Sequence, residues 1–383
     1  MKISDLFADE ELRLREFPVA RDKIFLAHGG VSPLPRRVAD AIHDYTRRAT
    51  ADDQETVLPM PLLAETRELA AQFLGGLPEE IALVGPTSLA LSFVAAGLPL
   101  RKGDNILIYF DDYPSNVYPW MALAEKGVEV RLMNVRELGR IRPIDVEGQV
   151  DEDTRLVALA SCHFVSGWRI DIQAIGKLLH ARGIAFCVDG IQTVGAFPTS
   201  IEHVDFLAAD AHKWMLGPCA AGILYVAKAW HEKLKPTVHG WHNIRCPNYV
   251  AQSELVFRRD ARRYEAGTAN LLGLAGLHAA LQLLLDVGVE NIANELLRKR
   301  RWVVQALREK GYTVLHADAP DANIGSMITF FRPQADLTTL QQKLADNRIV
   351  ASLRSDRSGQ KYIRLSPHFY NTDAELQQVL SLL

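Results

Sequence analysis

Seven short apolar runs do most to limit how this 383-residue chain can fold. They are IALV (81–84), NILIYF (105–110), VEVRLM (128–133), RLVALA (155–160), IAFCVD (184–189), VDFLAA (204–209) and GILYV (222–226). Their hydrophobicity is continuous rather than alternating, which predicts strands buried on both faces. Segments with helical spacing lie between most of them, among them LALSFVAAGLPL, NVYPWMALAEKG and IQAIGKLLHARG. Buried strands joined by crossover helices imply a mainly parallel sheet covered by helices, an α/β fold.

From about residue 271 the pattern changes. LLGLAGLHAALQLLLDVG and NIANELLRKRRWVVQALREKG read as two long helices. Strand-like YTVLHA and SMITFF follow, then a helix near LTTLQQKLADN, strand-like KYIRLS and a terminal helix from Asp373. That order suits a smaller α+β domain with its own sheet. The expected division is a large domain over 21–270 and a small C-terminal domain over 271–383. Residues 1–20 are too few for a domain and are expected to pack on the small domain or on a partner subunit.

Composition narrows the class. Hydrophobic residues at 48% and charged residues at 23% describe a globular chain rather than a disordered one. A net charge of -3 gives no reason to expect nucleic acid or an acidic membrane surface as partner. No window reaches the roughly 18 unbroken apolar residues of a membrane helix. The start, MKISDLFADEELRLREF, lacks the apolar core of a signal peptide. The cysteines at 162, 187, 219 and 246 show no CxxC spacing and read as reduced core thiols. A cytoplasmic location is the expectation.

Parallel α/β sheets place ligands at the carboxyl ends of their strands. Thr87 and Ser88 follow the first run and open a helix. Asp111, Asp112, Tyr113 and Asn116 follow the second. Ser161, His163 and Ser166 follow the fourth. Asp189 ends the fifth, with Gln192 three residues on, and Asp210, His212 and Lys213 follow the sixth. Five such ends would converge on one rim. A helix N-terminus with hydroxyls suits a phosphate. A buried carboxylate at Asp189 needs a cation or several hydrogen bonds, and a protonated pyridine nitrogen is one such cation. Lys213, in DAHKWMLGP between two apolar runs, is a desolvated amine able to form a Schiff base with an aldehyde. A phosphate cradle, a carboxylate for a pyridinium and an imine-forming lysine are what pyridoxal 5'-phosphate (PLP) requires. A nicotinamide-dependent enzyme on a similar sheet would need a GxGxxG turn, and the chain has none.

VDGIQTVGAFP followed by VDFLAADAHKWMLGPCAAGILYV resembles the signature region of the class V aminotransferases. These are PLP enzymes of the aspartate aminotransferase type of fold, a family that includes cysteine desulfurases, kynureninase and isopenicillin N epimerase. FLAHGGVSPLP, DDYPSNVYPW, RRYEAGTANLLGLAGLHAAL and IRLSPHFYNTDAEL extend the likeness over nearly the whole chain.

The resemblance implies roles. Lys213 would hold the cofactor and carry the α-proton, and Asp189 would keep the pyridine nitrogen protonated. Gln192 would bond the ring's phenolic oxygen, and Tyr113 would stack on the ring. Thr87, Ser88, Asp210 and His212 would surround the phosphate. Gly267 and Thr268 would reach the phosphate of a neighbouring subunit, which implies a homodimer with shared sites. Arg364 would clamp the substrate carboxylate, with His28 and Trp241 also at the substrate and His239 and His242 beside Trp241. No third ligand accompanies that histidine pair, so no metal is expected.

The chain also departs from relatives. The loop that carries a cysteine in the desulfurases reads VASLRSDRSGQKY here, so a persulfide relay is not expected. Arg354 and Arg357 stand in that loop, either one of them meeting a second acidic group on the substrate or both solvated. Amino-group transfer is the expected activity, with β-elimination at sulfur or epimerisation as the alternatives and a PLP-fold protein without catalysis as a distant one.

Overall fold

The computed structural model describes residues 1–59 and 61–383. A short strand β1 (Ile24–Phe25) precedes the main sheet. The seven apolar runs supply β2 (Ile81–Leu83), β3 (Asn105–Ile108), β4 (Glu129–Leu132), β5 (Thr154–Ala160), β6 (Ala185–Asp189), β7 (Phe206–Asp210) and β8 (Gly222–Val226). They form one sheet in the order β2-β8-β7-β6-β5-β3-β4, with only β8 antiparallel to its neighbours. Every residue of β3, β6, β7 and β8 is buried, as continuous apolar runs require.

Two local expectations change. VEVRLM is not buried on both faces. It forms the edge strand β4, whose Glu129 and Leu132 are exposed because only β3 covers it. NVYPWMALAEKG is not one helix. Pro114 and Pro119 break it into short turns over Pro114–Asn116, Tyr118–Met121 and Ala122–Lys126.

Beyond the sheet, helices Leu271–Val287 and Val289–Glu309 meet at a 73° bend. Gly288 makes the bend with φ 87°, a conformation that side-chain-bearing residues disfavour. No single helix among the described residues is long and apolar enough to cross a membrane. A second, antiparallel sheet follows, built from β9 (Thr313–Val314), β10 (Ile328–Phe331), β12 (Ser352–Ser355) and β13 (Lys361–Leu365) in the order β12-β13-β10-β9. β11 (Ile349–Val350) pairs in parallel with β1, so Leu26 packs with Val303, Phe330 and Ile363 around the second sheet. The N-terminal helices lie against the chain's end. Arg13 pairs with Glu375 at 2.9 Å, and the Phe17 ring stacks on Tyr370 with centroids 4.0 Å apart.

Candidate active site

The carboxyl ends of β2, β3, β5, β6 and β7 open onto one cavity of about 310 Å³, closed from above by β12 and β13. That size falls at the lower end for small-molecule sites. Thr87, Ser88, Tyr113, Asp189, Gln192, His212, Lys213 and Arg364 all line it. Of the fourth run's expected residues, Ser161, His163 and Ser166 do not. Ser161 donates to the Asp189 carbonyl, and His163 sits between Ser166 Oγ and the Asp111 carbonyl. Phe164 takes their place at the wall.

At one end, helix Thr87–Gly97 begins after Pro86, which has no side-chain oxygen to cap it. The Thr87 and Ser88 amides find no acceptor among the described residues. Thr87 Oγ1 accepts the Asp210 amide at 2.9 Å, so its proton is free to donate into the cavity. Free amides, a hydroxyl proton and the positive helix end make an anion cradle. His212 stands beside it. Its Nδ1 donates to Asp210 Oδ2 at 2.6 Å, which turns Nε2 outward. Asp210 also accepts the Ala211 and Ala220 amides and does not line the cavity. Its expected place at the phosphate is therefore corrected. The carboxylate is taken up in holding His212 and two amides, so it does not face an anion in the cradle.

On the floor, Asp189 is 2% exposed and accepts one hydrogen bond to its carboxylate, from the Ile191 amide at 3.0 Å. Burial pushes its carboxyl above the usual range. Lys213 is 7% exposed, and no carboxylate lies within ion-pair distance of its Nζ among the described residues. Burial lowers its amine to about 8, partly opposed by the Asp189 charge. Its Nζ lies 5.2 Å from the centre of the Tyr113 ring, which is half exposed at the mouth. Gln192 spans the wall, donating to the Gly29 carbonyl at 3.1 Å and accepting from Trp214 Nε1 at 2.8 Å. One of its two amide protons remains unused.

Arg364 is 1% exposed and reaches the cavity from β13. It donates to the Phe164 carbonyl, its Nε has no partner, and burial draws the guanidinium down to about 9. Gly29 makes room for it, because a Cβ there would stand 3.2 Å from Arg364 Cζ. Gly29, Gly30 and Val31 line the cavity, which the sequence reading placed only as part of a family segment.

Two other expectations are corrected. His28, expected at the substrate, is fully buried, with Nδ1 against the Ser366 carbonyl and Nε2 against Tyr370 Oη, both at 2.8 Å. Its ring ties the first glycine loop to the C-terminal segment, and burial lowers it to about 4. Trp241 lies outside the cavity, 42% exposed and edge-on to His242 and Tyr249. Gly267 and Thr268 line a separate groove with Gly85, Ala220 and Asn270, away from the cavity of their own chain, as a residue that serves a neighbouring subunit would. Two of the four cysteines depart from the core reading, Cys219 being exposed and Cys246 partly so.

The donors present fit the group that such a site implies. Uncapped amides await an anion, a buried carboxyl lacks a cation, and a buried amine lacks an acid. A lysine-centred cavity of this kind at the strand ends of a mainly parallel sheet is the site of a PLP-dependent enzyme. The family model for Aminotransferase class-V matches residues 24–379. This chain belongs to the class V aminotransferase family, whose members use PLP. A probable cysteine desulfurase of Methanothermobacter thermautotrophicus is 28% identical, over 96% of this chain and 95% of the relative. An uncharacterized aminotransferase of Bacillus subtilis is 27% identical, over 95% and 94%. The fold matches the cysteine desulfurase of Thermococcus onnurineus NA1 with a TM-score of 0.88 at 22% identity, over 97% of this chain and 96% of that one. It matches the cystine C–S lyase C-DES, solved with cysteine persulfide, with a TM-score of 0.84 at 23% identity, over 95% and 98%.

Proposed function

We propose that this chain is an aminotransferase that moves the α-amino group of an amino acid to a 2-oxo acid. The observation that carries the reading is Lys213, a buried amine held near pH 8 with no acid partner. Such a group takes up and returns a proton near neutral pH. The Thr87 and Ser88 amides and His212 would hold the cofactor's phosphate, Asp189 its ring nitrogen, and Tyr113 its ring face. Bound there, PLP supplies an electron sink for charge developing at the α-carbon. Arg364 orients the substrate through its carboxylate, and Lys213 moves the α-proton. The β12–β13 hairpin carries no cysteine, which removes the nucleophile that a persulfide relay needs.

Elimination at a carbon–sulfur bond is the second reading. It is favoured by the sulfur chemistry in the names of several relatives, and it needs no hairpin thiol. Trp241, Tyr249, Val250, Leu255 and Val256 leave a run of exposed apolar side chains in the segment that precedes Gly267 and Thr268. We infer that a second copy of the chain covers that run and that each copy offers Thr268 to the other's phosphate end.

The experiment is a half-reaction on the PLP-loaded protein. An aminotransferase loses its yellow colour on addition of an L-amino acid alone and regains it on addition of a 2-oxo acid. Release of pyruvate and sulfide from cysteine or cystine, with the colour retained, replaces the first reading with the second.

A further inference from the structure

The cavity holds more positive charge than one carboxylate can answer. Lys213, Arg354 and Arg364 line it, and Asp189 is its one carboxylate among the described residues. Strand register sets the two arginines on one face. Arg364 lies opposite Ser352, and Arg354, two residues along β12, lies opposite Tyr362. Side chains two apart on a strand share a face, so the guanidiniums are diagonal neighbours. Among the described residues neither makes an ion pair. Arg354 donates only to its neighbour's carbonyl, Leu353, and Arg364 only to the Phe164 carbonyl and, at 3.5 Å, to Ser352 Oγ. Arg357, one turn of the hairpin away, behaves differently. It bonds Asp111 Oδ1 at 2.6 Å and lies outside the cavity. The glycine loop brings both heads together, since a Cβ on Gly29 would lie 3.2 Å from Arg364 Nη2 and one on Gly30 would lie 3.8 Å from Arg354 Nη2. Two like charges facing one cavity with a single carboxylate are costly unless anions join them there.

Building on the aminotransferase reading, we propose that the amino donor carries an acidic side chain, with its α-carboxylate on Arg364 and its second anion on Arg354. The two heads lie against consecutive glycines, which suits a donor whose acid groups are only a few bonds apart. A carboxylate and a sulfinate share the required chemistry, because each offers two oxygens to a guanidinium fork. Arg354 is a specificity residue on this assignment, distinct from the lysine chemistry.

The test compares kcat/KM of the holoenzyme for L-aspartate, L-glutamate and L-cysteine sulfinate with that for L-alanine and L-cysteine. The acidic donors are expected to lead by about tenfold to a hundredfold, the gain of one charge-assisted hydrogen-bonded pair. Their order assigns the second group as carboxylate or sulfinate. Arg354→Gln should collapse the lead, and Arg354→Lys should keep part of it. A loss shared equally by alanine would put Arg354 on the α-carboxylate and overturn the proposal, as would a wild-type enzyme indifferent to side-chain charge. A second readout needs no turnover. Succinate should raise the Tm more than butyrate, which has equal carbon count and one carboxylate, and Arg354→Gln should equalise the two acids. Equal shifts in the wild type overturn the proposal. This titration reads the arginine pair even in a protein that transfers no amino group, so the two readings fail separately.

Discussion

Lys213→Ala is expected to remove the covalently held chromophore and to lower kcat by about a thousandfold to ten-thousandfold. The folded state should survive. Among the described residues Lys213 makes no ion pair and its amine is buried, so its removal relieves a desolvation cost and breaks no network. Circular dichroism should match the parent while the visible band of the PLP-treated protein is lost. If the variant still holds a colour that borohydride fixes to the chain, another amine does the chemistry. The same residue predicts a pH dependence. Burial lowers its amine to about 8, and only the free amine attacks an aldehyde. Uptake of PLP by the cofactor-free protein should level off above about pH 8 and fall about tenfold per unit below it. A rate still climbing beyond about pH 10 would mark an ordinary exposed lysine.

The largest stability effect is expected at Glu265. Its Oε2 pairs with Arg67 Nη2 at 2.6 Å, and its Oε1 accepts the Leu83 amide at 2.9 Å. Both side chains are at most 10% exposed. One carboxylate thus ties the helix Leu62–Leu74 to the edge strand β2, just ahead of the loop that bears Thr87. Glu265→Ala strands a buried guanidinium and a buried amide together. The expected cost is about 3–5 kcal/mol, read as a lower urea midpoint with little change in slope. The double variant Glu265→Leu, Arg67→Leu should recover most of the loss, because it removes both charges. A single variant within about 0.5 kcal/mol of wild type would mean that water already reaches the pair.

Much of this was legible in the chain itself. Continuous apolar runs mark strands buried on both faces, and that signal located all seven strands of the main sheet. It overreached at VEVRLM, since a run of six residues does not reveal whether one neighbour or two will cover it. Strand-end polar residues led to the cavity because sheet topology carries them there. Position in a motif was a poorer guide to direction. His28 sits beside two cavity glycines, yet its ring points the other way, into Ser366 and Tyr370. Asp210 lies three residues from Lys213 and faces His212 instead of the ligand. Arg354 and Arg357 could not be told apart in sequence, being three apart on one hairpin. Only the register of β12 on β13 sends one inward and leaves the other to Asp111.

The pairing of β1 with β11 bears on how the protein is made. Ile24 emerges from the ribosome long before its partner Ile349. At ordinary rates of translation the first strand waits roughly tens of seconds for it. The main sheet, with Lys213 and the phosphate cradle, can assemble in that interval. The hairpin that carries Arg354 and Arg364 cannot, since both residues lie beyond Ile349. On the roles proposed above, a nascent chain therefore completes the residues that would hold a cofactor before those that would choose a substrate.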